Sequence, residues 1–242
     1  MFYFLTNPYL IANGILIASA ALPALLLMYL VYRADRLEKE SPQLIKALAR
    51  AGVLSSLLAL VEERVLSLLL DSVLPEGSIL YSFLLYFVIV ACAEESSKYL
   101  FMKRETWNNP EFNCLFDGVV YGVFVSLGFA IWENISYVMT YGLSVAIIRA
   151  ITAIPGHACF GVFMGVFYGF ARKFQNQGAD AETRKYKILA FAVPALLHGA
   201  YDFIASIGEL VGGWFFLAFV GVMFGLSVFL VRKVAGRDQY ID

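Results

Sequence analysis

Glu94 and Glu95 stand side by side in the run Ala93-Glu94-Glu95-Ser96-Ser97-Lys98, with long apolar stretches before and after it. A charge at bilayer depth costs at least about 2.5–3.5 kcal/mol, so it faces a protein interior or a water-filled cavity and keeps a partner nearby. Glu94 and Lys98 are four apart, on one helix face, with the acid N-terminal as an ion pair prefers. Glu95 points about 100° away and has different neighbours. This spacing suggests that Lys98 holds one carboxylate ionised while the other faces a substrate. Both histidines of the chain, His157 and His198, also fall in apolar stretches, as do Glu133 and Asp202. His198 and Asp202 are four apart, so the carboxylate can orient the imidazole or share a metal with it.

Acids and imidazoles without a serine or cysteine nucleophile motif suggest water activation. A carboxylate takes the proton of water, and an imidazole stabilises the oxyanion or protonates the leaving amine. Two histidines and a carboxylate (His157, His198 and Glu95) are also the ligand set of a hydrolytic zinc site, with the second glutamate as base. Zinc and no cofactor at all both remain open at this point. There is no HExxH helix and no GxSxG elbow. The competing classes are a proton-coupled carrier, which also uses buried acids and histidines, and an inactive scaffold that binds membrane partners. A carrier commonly shows repeated broken helix pairs, and no internal repeat is visible. The bland alternative is an ion pair plus an interhelical hydrogen bond.

The elements that must position these residues are membrane spans. Of the 242 residues, 60% are hydrophobic and 15% charged, against about 45–50% and 25% in a soluble domain. Seven apolar segments are long enough to cross the hydrocarbon core: about Leu10–Tyr32, Val53–Leu70, Ile79–Met102, Phe116–Val138, Ala146–Phe170, Ile188–Ile207 and Val211–Val231. The sequence predicts an all-α polytopic membrane protein, a single transmembrane domain over 1–242 with the motif-bearing core at about 79–207. Of the 18 basic residues, all but Arg64, Lys98 and Arg149 lie in alternate connections or after the last span. The positive-inside rule then puts the N-terminus outside and the C-terminus in the cytoplasm. The charged stretch from Arg33 to Arg50 reads as a solvated amphipathic connector. Net charge is −1, and no basic-aromatic surface of the kind nucleic acids need is present. Cys92, Cys114 and Cys159 are dispersed and imply no disulfide framework.

Depth is compatible with one shared cavity. At about 1.5 Å per residue, Glu95 lies about 12 Å from Lys103, His198 about 16 Å from Lys187, and His157 about 22 Å from Arg172. Glu133 is about 24 Å from Asp117 at the inner end of span four. Glycines 118, 122 and 128, and 156, 161, 165 and 169, permit close helix packing, and Pro155 can open the helix just before His157. Glu62-Glu63-Arg64, deep in span two, reads as a structural, self-neutralising cluster. Trp132, Tyr137 and Tyr141 mark the outer interface.

The motifs together resemble the PrsW family of membrane-embedded proteases, which is distantly similar to the CAAX-protease and bacteriocin-processing group. The matching residues are Glu94-Glu95-Ser96-Ser97-Lys98, Phe116-Asp117-Gly118 through Tyr121-Gly122, Gly128-Phe129, and Glu133-Asn134 near Tyr137. They continue with Arg149, Pro155-Gly156-His157, His198-Gly199 and Tyr201-Asp202, in order and on consecutive spans. The resemblance implies a bacterial inner-membrane protease that cleaves a single-pass anti-sigma factor on its extracytoplasmic side. It implies Glu94, Glu95, His157 and His198 as catalytic residues. Lys98, Asp117, Glu133, Asn134, Arg149 and Asp202 are then supporting residues.

Overall fold

The computed structural model describes residues 8–207 and 213–241. Among these residues there are seven helical spans long and apolar enough to cross a membrane, and no β-strand. They are α1 (Pro8–Ala34), α2 (Pro42–Val73), α3 (Ile79–Thr106), α4 (Asp117–Tyr141), the pair α5 (Leu143–Ile151) and α6 (Ala153–Asn176) that together make one span, α7 (Asp180–Ser206) and α8 (Gly213–Ala235). The all-α, seven-span expectation is met; the expected start of the last span at Val211 lies outside the described residues. Leucines, valines and phenylalanines remain exposed on the outer faces of α1, α2 and α8, as a lipid-facing surface requires.

Several helix ends lie beyond the hydropathy reading, with α6 running to Asn176 and α7 starting at Asp180, and two further differences bear on the packing. α2 begins at Pro42, behind the Ser41 N-cap whose hydroxyl accepts from Leu44 N. Its first turns bury Leu44 and Leu48, so the stretch from Pro42 to Arg50 is the packed foot of a helix rather than a solvated connector. The charges at Lys46 and Arg50 hid the apolar stripe from a simple hydropathy average. The fifth span breaks at Thr152, and Pro155 falls in the first turn of α6, where its missing N–H leaves no bond unmade.

α4 is the central helix and packs most closely on α6 and α2. Its glycines explain why. A Cβ on Gly118 would lie 2.5 Å from the carbonyl oxygen of Gly165, and Gly122 meets the backbone of Gly161 and Gly165 in the same way. On the other side Gly128 faces the backbone of Ala49, while Gly52 faces that of Val125. The two faces of α4 thus run backbone to backbone with α6 and α2, the small-residue packing that membranes use in place of a hydrophobic drive. Gly156 is different, because a Cβ there would only touch the Tyr201 ring at 3.4 Å.

α3 carries a π-helical segment from Leu84 to Val90, with Ala91 N–H donating to Tyr86 O. Such segments insert one extra residue into a turn and cluster at functional sites. This one ends four residues before Glu94 and lays Phe87 against Gly199 of α7. At the opposite end of the bundle the C-terminal tail pairs with the 113–116 loop: Ile241 N donates to Asn113 O at 2.8 Å and Leu115 N to Gln239 O at 3.1 Å. Burial, with Asp117 beside it, pushes the Glu40 carboxyl there up to about 9.

Candidate active site

α3, α4, α5, α6 and α7 bring the expected residues into one network, built around Lys98. Its side chain is fully buried. Its ammonium lies 2.9 Å from Glu94 Oε2, 2.8 Å from Glu95 Oε1 and 3.2 Å from His157 Nδ1. It also sits 4.0 Å from the centre of the Phe129 ring. An ammonium has three protons and accepts none, so these three acceptors saturate it. Lys98 therefore holds both glutamates, not one as the spacing suggested.

The same arithmetic sets the imidazoles. Because Lys98 can only donate, Nδ1 of His157 must accept, which leaves its Nε2–H to donate to Glu133 Oε2 at 2.9 Å. Glu133 is also ion-paired with Arg149, whose Nη2 lies 2.8 Å from Oε2, and Arg149 Nε donates to Asn134 Oδ1. The guanidinium carbon lies over the Tyr137 ring, 3.9 Å from the ring centre. His198 faces Glu95 Oε1 through Nδ1 at 2.9 Å and Asp202 Oδ2 through Nε2 at 3.3 Å. The Nδ1 contact is a hydrogen bond, while the Nε2 contact is a close approach of the ring to the second carboxylate. Phe160 stacks on this imidazole, with centroids 4.6 Å apart.

The network opens on a chamber of about 440 Å³. Glu94, Glu133, Arg149, His157, His198 and Asp202 line it, with Tyr201, Phe160 and Thr152. Glu95 does not line it and is fully buried. The two adjacent acids are thus distinct: Glu94 Oε2 is tied to Lys98 while no hydrogen bond among the described residues engages its Oε1. Glu95 is the inner partner of Lys98 and His198.

Glu63 of α2, read from sequence as part of a self-neutralising cluster, also lines the chamber. Its neighbour Glu62 accepts from Ser97 Oγ at 3.3 Å. Arg64 is exposed, and among the described residues no ion pair joins it to either acid. Three consecutive positions span most of a helical turn, so adjacency in sequence could not place them on one face. Asp117 is not part of this network. It begins α4 at the far end, where its Oδ2 accepts from the amides of Asn113 and Cys114 at 3.0 and 2.7 Å. The sixteen positions separating it from Glu133 amount to about 24 Å of helix.

The donor set suits a metal. Ligand atoms of Glu94, Glu95 and His157 lie within 4.8 Å of one another, and Oε2 of Glu95 is buried without a hydrogen-bond partner. Carboxylates around the chamber outnumber the cations. His198 stands outside this trio, both its nitrogens being turned to carboxylates, so the trio differs from the Glu95, His157 and His198 set expected from sequence. Lys98 Nζ already bonds one atom of each of these three residues.

Seven apolar spans with an acid–imidazole chamber among them define a multi-pass membrane protein. The model of the PrsW family intramembrane metalloproteases matches residues 40–231, and the chain belongs to that family; it is a membrane-embedded peptidase. Protease PrsW of Clostridioides difficile is 34% identical over 195 residues, 78% of each chain. Protease PrsW of Oceanobacillus iheyensis is 32% identical over 78% of this chain and 82% of its own length. Protease PrsW of Bacillus subtilis is 40% identical over 125 residues, a match spanning 52% of this chain and 56% of that relative. No solved structure matches.

Proposed function

We propose that the chamber hydrolyses a peptide bond in a single-pass membrane protein, an anti-sigma factor, at the extracytoplasmic side of the bacterial inner membrane, with this chain's N-terminus outside. The observation that carries the assignment of roles is the asymmetry of the acids. Glu94 has a free oxygen on the chamber, whereas Glu95 is sealed between Lys98 and His198. Glu94 accepts the proton of the attacking water. His198, held between Glu95 and Asp202, gives a proton to the leaving amine. Arg149, fixed by Glu133, Asn134 and the Tyr137 ring, hydrogen-bonds the substrate backbone and the developing oxyanion. His157 is kept in one tautomer by Glu133 and carries its Nδ1 lone pair inward. Where a metal such as zinc is bound, Glu94, Glu95 and His157 would hold it, and it would supply Lewis-acid polarisation of the scissile carbonyl.

Co-expression with a tagged single-pass anti-sigma factor from the same genome tests this. The wild type should give a shortened product, while Glu94→Ala, Glu95→Ala and His157→Ala, equally well expressed, should give none. Cleavage that persists in both glutamate variants would overturn the assignment, and ion flux in proteoliposomes without cleavage would favour a carrier.

A further inference from the structure

Asp117 belongs to the Phe116-Asp117-Gly118 motif, yet it lies far from the chamber. Its surroundings are unusual for an apolar bundle. Asp35 and Glu40, from the turn between α1 and α2, and Asp238, from the C-terminal tail, crowd the same end, and each of the four acids is repelled by at least two of the others. Asp35 is 3% exposed, Glu40 5% and Asp117 2%. Among the described residues, no ion pair reaches any of the four. Lys39, the base beside Asp35, turns its ammonium to the carbonyls of Tyr32 and Asp35 instead. Glu111 is taken by Ser41, and Glu38 by Asn113.

The orphaned atoms gather here. Both oxygens of Asp35, Oε1 of Glu40, Oδ2 of Asp238 and the hydroxyl of Tyr121 are buried without a hydrogen-bond partner. Asp35 faces the amides of Arg36 and Leu37, and Glu40 the Tyr121 hydroxyl, without closing to hydrogen-bond geometry. Unpaired buried carboxylates from separate segments of the chain are stabilised by taking up a proton or by a cation between them.

We propose that these carboxylates hold a partly hydrated magnesium ion, with Asp35, Glu40 and Asp238 reaching it directly or through water and Asp117 anchoring the loop beside it. The donors are all oxygen, which selects a hard cation over zinc. They also stand wider than the ligand shell of a bare ion, since among the described residues only the group Glu94, Glu95 and His157 brings three ligand atoms within 4.8 Å of one another. Magnesium keeps several of its waters and binds through a few carboxylates, as this spacing requires. The ion ties the turn at 35–41, the start of α4 and the C-terminal tail to one point, an arrangement independent of the peptidase chemistry.

The full chain, purified in detergent and stripped with chelator, is melted while magnesium chloride is added. The wild type should gain about 5–10 °C at a hundredfold excess over Kd, and His157→Ala should gain the same. Asp35→Asn and the milder Asp238→Asn should lose the gain while still folding. Manganese, as a spin probe, should bind the wild type and not Asp35→Asn at this site. A melting temperature indifferent to magnesium overturns the proposal, as does one that rises only on acidification. So does a gain retained in both aspartate variants, or one lost in His157→Ala, which would place the ion in the chamber.

Discussion

Replacing Lys98 with methionine keeps the length of the side chain and deletes its charge. The structure sets the size of the effect. Lys98 makes two charge-assisted bonds, at 2.9 and 2.8 Å, and a third to His157 at 3.2 Å, with its side chain wholly enclosed. Removing one partner of a buried ion pair costs about 3–5 kcal/mol, because the other charge stays buried and unpaired. Here two like charges are left, so Lys98→Met should lose at least that much of a total stability of about 5–15 kcal/mol. Adding Glu95→Gln removes one of the stranded charges. The double variant should be more stable than the sum of the single losses by at least about 1.5 kcal/mol. Reversible unfolding in mixed micelles, with chelator present so that no metal replaces the ammonium, measures all three. A loss under about 1 kcal/mol for Lys98→Met, or strictly additive losses, would refute the view that one ammonium compensates both acids.

Three further outcomes are expected. Gly165→Ala should cost about 1–3 kcal/mol, because the new methyl meets the backbone of Gly118 and no rotamer can relieve it; Gly156→Ala, against a side chain at 3.4 Å, should be near neutral in the same melt. Glu40, held at about 9 when folded against an ordinary 4.5, means that the folded state binds the extra proton. In divalent-free buffer stability should therefore be greatest near pH 4.5, fall as pH rises toward 9, and become flatter in Glu40→Gln. Chelator-stripped wild type should regain cleavage on addition of zinc and His157→Ala should not; cleavage unaffected by chelator would count against metal assistance.

The spans were legible because hydropathy needs only composition over about 20 residues. What it could not see was the foot of α2, where Lys46 and Arg50 mask the buried Leu44 and Leu48. Nor could hydropathy detect the π-helical segment, since an extra residue in a turn leaves the average unchanged. The site was legible as a set because acids and histidines at bilayer depth have few bland explanations. Its division of roles was not. Whether Lys98 reaches one glutamate or both depends on rotamers, and Glu63 looked self-neutralised only because Arg64 follows it in the chain. Asp117 shared a motif with the site residues, but a motif fixes order along the chain and not depth.

The π-helical segment of α3 lets the two halves of one span answer to different neighbours. In an uninterrupted α-helix, the face that Tyr81 presents would dictate the face that Glu94 presents thirteen positions later. The extra residue shifts that phase by about 100°. The part of the helix ahead of the segment can then be tuned to lipid while the part carrying Glu94, Glu95 and Lys98 keeps its aim. Deleting a single residue between positions 84 and 90 would barely change the length or apolarity of the span, yet would re-link the halves and swing one of them off its partners.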